Sequence, residues 1–295
     1  MKNSIFIIFL AFLVSCKPEI NQENRIKEDV TFLASDELEG RQTGTEGEKK
    51  AADYISKRFE ELGLSKKGTE GYLQPFTFKP KTNPHDEVKF DVNGDGTITG
   101  NNVIGFLDNK AENTIIIGAH YDHLGFGGEG SLYRDSIKAI HNGADDNASG
   151  IAVLLNLAAK LKAKNTNNNY LFMGFSGEEM GLLGSNYFVK NPTIDTKKVS
   201  YMINMDMVGR MKKDSSLAVY GTGTSPIFKQ TLKSHNDNFK LIQQESGVGP
   251  SDHTSFYLAD IPVLHFFTGQ HEDYHKPGDD SEKLNYDGMY LISDY

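Results

Sequence analysis

Apolar runs of strand length alternate with stretches of helical hydrophobic period along most of this 295-residue chain. The apolar runs are short, and each ends in polar residues, as expected for strands that are buried on both faces. They lie at 114–119, 170–175, 201–205, 217–220 and 262–267. Helical periodicity occurs at 25–35, 51–62, 149–164 and 226–234, and again from about 287. Strands that alternate with helices predict a three-layer α/β/α fold with a mixed, mostly parallel central sheet.

The segment between the second helix and the first buried strand has a period of two instead. Positions 74–78 alternate between apolar and polar residues, and Val88, Phe90 and Val92 continue the alternation further on. Asn, Gly and Asp residues at 93–96 have the composition of a hairpin turn. We therefore expect strands on either side of this turn.

The N-terminus differs in composition from the rest of the chain. Lys2 precedes an apolar run at 5–14, and small residues lead to Cys16. This order is typical of a secretory signal peptide, and the run is shorter than the roughly 20 residues that span a bilayer. Leu-Val-Ser-Cys at 13–16 resembles a bacterial lipobox, in which the cysteine is lipidated.

The domain organisation that follows has three parts. We expect a lipoprotein signal peptide at 1–16, a tether at 17–24 and a single domain at 25–295, whose last helix is cut short where the sequence ends. Lipidation of Cys16 would anchor the protein in the bacterial cell envelope, at the outer membrane or on the periplasmic face. Cys16 is the only cysteine, so no intramolecular disulfide is expected. The oligomeric state stays open.

Charge excludes one class of partner. The formal net charge is −9 at pH 7, whereas nucleic-acid binding needs a basic face. We therefore expect no nucleic-acid partner, and contact with a membrane only through the lipid anchor.

His and carboxylate side chains stand where the buried strands end. They are His120 and Asp122, Glu178 and Glu179, Asp206, and His275. Asp146 precedes the helix predicted at 149–164. One such residue alone would more often cap a helix or form a turn, but ligands bind at the carboxyl ends of strands in open α/β sheets. Because imidazole nitrogens and carboxylate oxygens are the ligands of zinc, the group predicts a zinc site.

The amino-acid sequence of these segments resembles the M28 family of zinc peptidases, and the resemblance extends over about residues 25 to 295. The segments are GAHYD at 118–122, NGADDNASG at 142–150, SGEEMG at 176–181, NMDM at 204–207 and YHKP at 274–277. The resemblance implies the fold of a zinc-dependent exopeptidase. It also implies an aminopeptidase that hydrolyses N-terminal peptide bonds of peptide substrates with a hydroxide activated by two zinc ions.

The resemblance also implies a role for each residue. One Zn²⁺ would bind His120 and Asp206, the other would bind Glu179 and His275, and Asp146 would bridge the two ions, about 3.5 Å apart. Glu178 would be the general base, and the Asp146–Asn147 peptide bond would be cis. Two further roles come from neighbourhood in the sequence: Asp122 would orient the imidazole of His120, and Tyr274 is a candidate donor to the developing oxyanion.

The sequence gives the least information about which end of a peptide substrate the site recognises. The site has surplus carboxylates that can face an α-amine, and Arg210 and Lys276 are the nearest cations in sequence. A carboxypeptidase needs a cation for the terminal carboxylate, so the balance favours an aminopeptidase.

Several alternatives remain open beside this interpretation. A glutaminyl cyclase-like enzyme or a carboxypeptidase of the same fold is possible, as is a binding lipoprotein without catalysis. M20 peptidases use a similar ligand order but insert a lid domain, for which this chain has no room. His253 is equally compatible with lining a pocket and with a structural role. His123 and His141 are expected to support ligands at most, and no function is expected for His265 and His271.

Two further motifs are weak. The glycines at 125–130 fit a dinucleotide-binding loop, but no convincing helix follows. The segment that starts at Asp91 opens like a calcium loop but has Asn102 where glutamate is required.

Overall fold

The computed structural model describes residues 22–80, 88–164 and 167–295. The predicted signal peptide, Cys16 and the first five residues of the predicted tether lie outside the described residues. Helix α1 begins at Gln22, so the tether prediction is wrong for residues 22–24. Gln and Glu are good helix formers and extend the helix towards the N-terminus. No helix in the described ranges is long and apolar enough to cross a membrane.

Seven α-helices and nine strands form the described part of the chain. The helices are α1 (Gln22–Leu33), α2 (Glu46–Glu61), α3 (Gly150–Lys164), α4 (Leu183–Lys190), α5 (Phe228–Ser234), α6 (His253–Tyr257) and α7 (Tyr286–Asp294). The strands are β1 (Ser65–Lys66), β2 (Leu73–Phe78), β3 (Ile98–Leu107), β4 (Thr114–His120), β5 (Asn169–Phe175), β6 (Val199–Met205), β7 (Ser216–Tyr220), β8 (Lys240–Gln243) and β9 (Val263–Phe267). Short 3₁₀ turns occur at Asp36–Arg41, Thr196–Lys198 and Ser281–Lys283, and a wider turn at Ala144–Ser149 precedes α3.

All nine strands belong to one mixed sheet with the order β1-β3-β5-β4-β6-β9-β7-β8, and β2 pairs with β3. The four central strands, β5, β4, β6 and β9, are parallel to one another. The margins contain the antiparallel pairs, namely β3 with β1, β2 and β5, and β7 with β9. The predicted α/β fold with a mixed central sheet is confirmed, and its parallel part is concentrated in the centre.

Helices cover both faces of the sheet. On one face α1, α2, α3 and α7 share a core with alternate strand residues such as Ile115 and Ile117. On the other face α4 and α6 contribute Phe188 and Phe256, which pack with Ile116. Every residue of β4 is buried, which is why its sequence is a continuous apolar run.

The strand predicted near 88–92 is wrong. Phe90 makes only an isolated bridge with Phe78, and no ladder follows among the residues that the structure describes. Asp91 has a φ of 56°, which interrupts an extended backbone. The ring of Phe90 is instead packed edge-on against Phe76 and Tyr187, at centroid distances of 6.0 and 5.3 Å. The apolar alternation therefore reflects an aromatic cluster.

Candidate metal centre

The four parallel strands bring the predicted ligands to one edge of the sheet. His120 ends β4 and lies opposite Phe175, the last residue of β5. Glu178 and Glu179 follow β5, and Asp206 follows β6. The remaining two predicted ligands, Asp146 and His275, come from the turn before α3 and from the loop after β9. All five predicted ligands and the predicted base therefore meet, because parallel strands end at the same edge.

Asp146 lies between two histidines. Its Oδ1 is 3.2 Å from Nε2 of His120, and its Oδ2 is 3.2 Å from Nε2 of His275. His120 Nε2 is also 3.5 Å from Oδ1 of Asp206. His275 Nε2 is 3.2 Å from Oε2 of Glu179. The two oxygens of one carboxylate thus face two groups, each of which contains a histidine and a further carboxylate.

The donor atoms fit metal ions. His120, Glu178 and Asp206 place one ligand atom each within 4.8 Å of one another, and so do His123, Asp146 and Glu179. Nε2 of His120 is buried, and although oxygens of Asp146 and Asp206 lie 3.2 and 3.5 Å away, it makes no well-formed hydrogen bond in the described part of the chain. A buried polar atom without a partner is unfavourable, and a cation among these carboxylates would satisfy it.

His123 lies in the position of a residue that supports a ligand, which is the most that was expected of it. Its Nδ1 lies 2.6 Å from Oε1 of Glu179, while the other oxygen of Glu179 faces His275. Its Nε2 is buried without a hydrogen-bond partner among the described residues. His123 therefore fixes the orientation of Glu179. The only sequence signal for it is its position three residues after His120.

The two adjacent glutamates have opposite pKa shifts. Burial raises the pKa of Glu178 well above its ordinary value, and the charges of Glu179 and Asp206 add to the effect against the opposing influence of His120. Burial also acts on Glu179, but the contacts with His123 and His275 dominate, so its pKa is lowered. Glu179 is therefore held as a carboxylate, whereas Glu178 is able to take up a proton.

The histidines favour a positive charge at this position. Burial alone would lower the pKa of His120, but Glu178, Asp206, Asp122 and Asp146 outweigh it and raise the pKa well above its ordinary value. The pKa of His275 is raised to about 10, because Asp146 and Glu179 outweigh the effect of burial. The site thus attracts cations, whether protons or metal ions.

Asp122 lies beside His120, as predicted, but the shorter contact comes from its backbone. Nδ1 of His120 is 3.2 Å from the carbonyl oxygen of Asp122 and 3.7 Å from its carboxylate. The carboxylate accepts hydrogen bonds from the Glu178 backbone N–H at 3.2 Å and from the Thr43 hydroxyl at 3.1 Å. Asp122 therefore links His120 to the segment that carries the two glutamates.

The turn around Asp146 has unusual backbone geometry. The Asp146–Asn147 peptide bond is cis, as predicted. Gly143 has a φ of 55°, and a Cβ atom there would meet the Asp146 carbonyl oxygen at 2.2 Å. Glycine is therefore the residue that this close approach allows.

Arg41, which sequence reasoning missed, is fully buried beneath this turn. Its guanidinium donates hydrogen bonds to the carbonyls of Leu33, Tyr121, Asn142 and Gly143. Burial lowers its pKa to about 10, although nearby carboxylates oppose the shift. Five N–H donors in a fixed plane suit one side chain to hold several backbone segments.

A pocket of about 110 Å³ opens beside the centre. Tyr274 lines it, and its ring stacks on His275 at a centroid distance of 3.9 Å. Burial and the surrounding carboxylates raise the pKa of Tyr274. The other lining residues are Asp146, Glu178, Asp206, Met207, Tyr220, Pro250, His265, Phe267 and Gln270. Most of these walls come from loops and strand ends that local patterns do not bring together.

His253 stands behind the pocket wall. It is fully buried and stacks on His265 with a centroid distance of 4.3 Å and an angle of 5°. Burial lowers the pKa of His253 to about 4 and that of His265 to about 3. The structure therefore favours a supporting role for His253, and it places His265, for which no function was expected, in the pocket wall.

A second cavity, of about 340 Å³, adjoins the centre at His123 and Glu179. Its walls include Phe78, Met180 and Leu183.

The sequence profile of Peptidase family M28 matches residues 102–295. The chain belongs to this peptidase family, as the resemblance implied. It is 33% identical to a probable leucine aminopeptidase of Trichophyton verrucosum over 173 residues, which are 55% of this chain and 44% of that protein. It is 28% identical to aminopeptidase YwaD of Bacillus subtilis over 66% of this chain and 43% of that protein. The match thus spans less than half the length of these relatives.

Solved structures share the fold over nearly the whole chain. A Zn-dependent exopeptidase from Parabacteroides distasonis has a TM-score of 0.72 at 17% identity, with coverage of 94% of this chain and 96% of that one. BSAP, a zinc aminopeptidase from Bacillus subtilis, has a TM-score of 0.69 at 18% identity, with 92% coverage of both chains. At these identities the likeness establishes the fold.

Proposed function

We propose that this chain is a zinc aminopeptidase whose centre holds two metal ions, with Asp146 between them. The observation that carries the proposal is the position of the Asp146 carboxylate, whose two oxygens each lie 3.2 Å from a different histidine. The family and the relatives named as aminopeptidases support the same activity. His120 completes the first group, which argues against the one-zinc cyclase alternative.

Each ion has its own set of residues in this proposal. His120 and Asp206 would hold one ion, Glu179 and His275 would hold the other, and the Asp146 carboxylate would serve both. His123 keeps Glu179 in place from outside. Bound zinc would polarise the substrate carbonyl and lower the pKa of water to about 7.

Glu178 moves the proton in this scheme. Its side chain is 11% exposed, and Oε2 lies 4.0 Å from Nε2 of His120. The raised pKa of Glu178 suits a group that takes a proton from the attacking water and passes it to the leaving amine. Glu179 keeps its charge and remains a ligand, which divides the two roles between adjacent residues.

In this proposal Tyr274 would donate to the oxyanion. It lines the same pocket as Glu178 and Asp206, and its raised pKa keeps the hydroxyl protonated. A neutral O–H group aimed at developing negative charge stabilises the transition state.

The surroundings favour a substrate with a free α-amine. None of the described residues that line the pocket of about 110 Å³ is lysine or arginine, whereas Lys79 lines the second cavity of about 340 Å³. Arg210 pairs with Asp273 at 3.0 Å, and the Lys276 ammonium donates to the Glu272 carbonyl at 2.6 Å. Asp273 thus holds Arg210 through Nη2, although Nη1 of Arg210 has no hydrogen-bond partner among the described residues, and Lys276 is engaged with a backbone carbonyl. The surplus carboxylates can accept an ammonium group. Met207, Tyr220 and Phe267 offer apolar contacts for the first side chain.

N-acetylation of a peptide should lower kcat/KM by about 100-fold or more. Acetylation removes the charge that the carboxylates recognise and leaves them unpaired. The measurement compares matched peptides with free and acetylated N-termini, and it identifies the released amino acid. Release of residues from the carboxyl end of acetylated peptides would overturn the aminopeptidase assignment and leave the metal centre unaffected.

A further inference from the structure

Asp279 is a buried carboxylate outside the proposed ligand set. It lies four residues after His275 in the same loop and is fully buried. Its Oδ2 accepts hydrogen bonds from the backbone N–H groups of Asp145 at 2.9 Å and Asp146 at 3.0 Å. Its backbone carbonyl accepts a third, from Ala144 at 2.9 Å. Three consecutive N–H groups of the turn that carries Asp146 therefore point at this one residue.

These contacts join two parts of the proposed centre. One end of the connection is the loop of His275, and the other is the turn of Asp146. The connection fixes the backbone of Asp146 at its own N–H group, so little freedom remains between this anchor and the carboxylate. A carboxylate that accepts two N–H bonds is a strong and directional anchor.

Asp145 makes the corresponding connection to the Asp206 side. Its Oδ1 accepts hydrogen bonds from the Gly209 N–H at 2.6 Å and from the Ser149 hydroxyl at 3.1 Å. Its Oδ2 is 3.2 Å from Nε2 of His271, which is 3.9 Å from Oδ1 of Asp279. The turn of Asp146 is thus tied on one side to the segment after β6 and on the other to the loop after β9.

We propose that Asp279 is a positioning residue, which sets the place of the bridging carboxylate of Asp146 relative to His275 by holding the Asp145 and Asp146 N–H groups. This inference rests on the proposed two-metal function. Outer partners of metal ligands affect metal affinity by about 10- to 100-fold when they are removed.

Cobalt binding tests this role without substrate. Co²⁺ takes sites of the same ligand type, and its visible spectrum reports the ligand geometry. Metal-free wild-type protein, Asp279→Ala and Asp279→Asn are titrated with Co²⁺, and circular dichroism checks that each is folded. Asp280→Ala is the matched control, because the adjacent Asp280 carboxylate accepts a hydrogen bond from Asn142 at 3.2 Å and none from the Asp146 turn.

Asp279→Ala is expected to lower Co²⁺ affinity by about 10- to 100-fold and to change the visible spectrum. Asp279→Asn keeps one oxygen for the two N–H groups and should lose about threefold to tenfold, a partial rescue. Asp280→Ala should stay within about twofold of wild type, because it leaves the hydrogen bonds from the Asp145 and Asp146 N–H groups to Asp279 in place.

The outcomes separate this inference from the proposed function. If wild-type protein binds no Co²⁺, the metal centre itself is wrong, and the role of Asp279 falls with it. If wild type binds Co²⁺ and the folded Asp279 variants keep its affinity and spectrum, Asp279 is merely structural and the positioning role is wrong. If Asp279→Ala does not fold, Asp279→Asn alone decides, and an affinity within twofold of wild type overturns the proposal.

Discussion

Replacement of Glu178 by glutamine is expected to lower kcat by about 10²-fold or more while zinc content stays unchanged. The amide keeps the shape of the side chain but cannot take a proton from water. The raised pKa of Glu178 and the lowered pKa of Glu179 support this division of roles. The measurement combines steady-state kinetics on a free-amine peptide with metal analysis of the same preparation.

Glu179→Gln is the matched control for this experiment. It changes the adjacent residue in the same way but removes a charge that faces His275 at 3.2 Å and His123 at 2.6 Å. We expect this variant to lose zinc as well as activity. If Glu178→Gln loses zinc and Glu179→Gln keeps it, the assignment of the pair is reversed.

Replacement of Asp146 by alanine is expected to weaken the binding of both zinc ions together and to lower kcat/KM by about 10³-fold or more. Among the described residues, this carboxylate is the group that faces both sets, with an oxygen 3.2 Å from His120 and another 3.2 Å from His275. Its removal also leaves the two sets without the negative charge between them. Zinc titration of the metal-free variant, with circular dichroism as the folding check, measures the effect.

The number of zinc ions that each variant still binds tests whether Asp146 bridges the two sites. Asp206→Ala serves as the comparison. Of the two proposed ligand histidines, Asp206 faces only His120, so its removal should weaken the binding of mainly one ion. Retention of one ion by Asp146→Ala with wild-type affinity would show that this carboxylate does not bridge.

The central strands and the residues that meet at their ends were predictable because both depend on local sequence. An apolar run such as β4 is buried on both faces, and His120 stands at its end. Parallel strands end at the same edge of a sheet. Each polar residue at a strand end was therefore a candidate site residue, whatever the position of its strand in the sheet. The family resemblance, and not position alone, then assigns different proposed roles to Glu178 and Glu179.

The supporting residues were not predictable in the same way. His123 was expected to support a ligand, but its pairing with Glu179, which is far away in the sequence, was not predicted. Asp279 was not singled out, and it acts through Asp145, which is also far away in the sequence. Arg41 is a charged residue that local patterns place on the surface, yet it is fully buried because backbone carbonyls from three other segments surround it. The prediction of a strand near Phe90 was wrong because an aromatic cluster produces the same alternation of apolar and polar residues as a strand.

The pocket walls depend on tertiary placement as well. Tyr220 and Phe267 come from neighbouring strands, β7 and β9, that pair antiparallel in the sheet. Pro250 comes from a loop between β8 and α6, neither of which the periodicity predicted.

A crystal structure of the zinc-loaded protein, with anomalous difference maps measured at the zinc edge, tests the central claim most directly. We predict two zinc peaks about 3.5 Å apart, with Asp146 contributing one oxygen to each ion. His120 and Asp206 should complete the first ion, and Glu179 and His275 the second. A single peak, or two peaks with Asp146 bound to only one of them, would contradict the account.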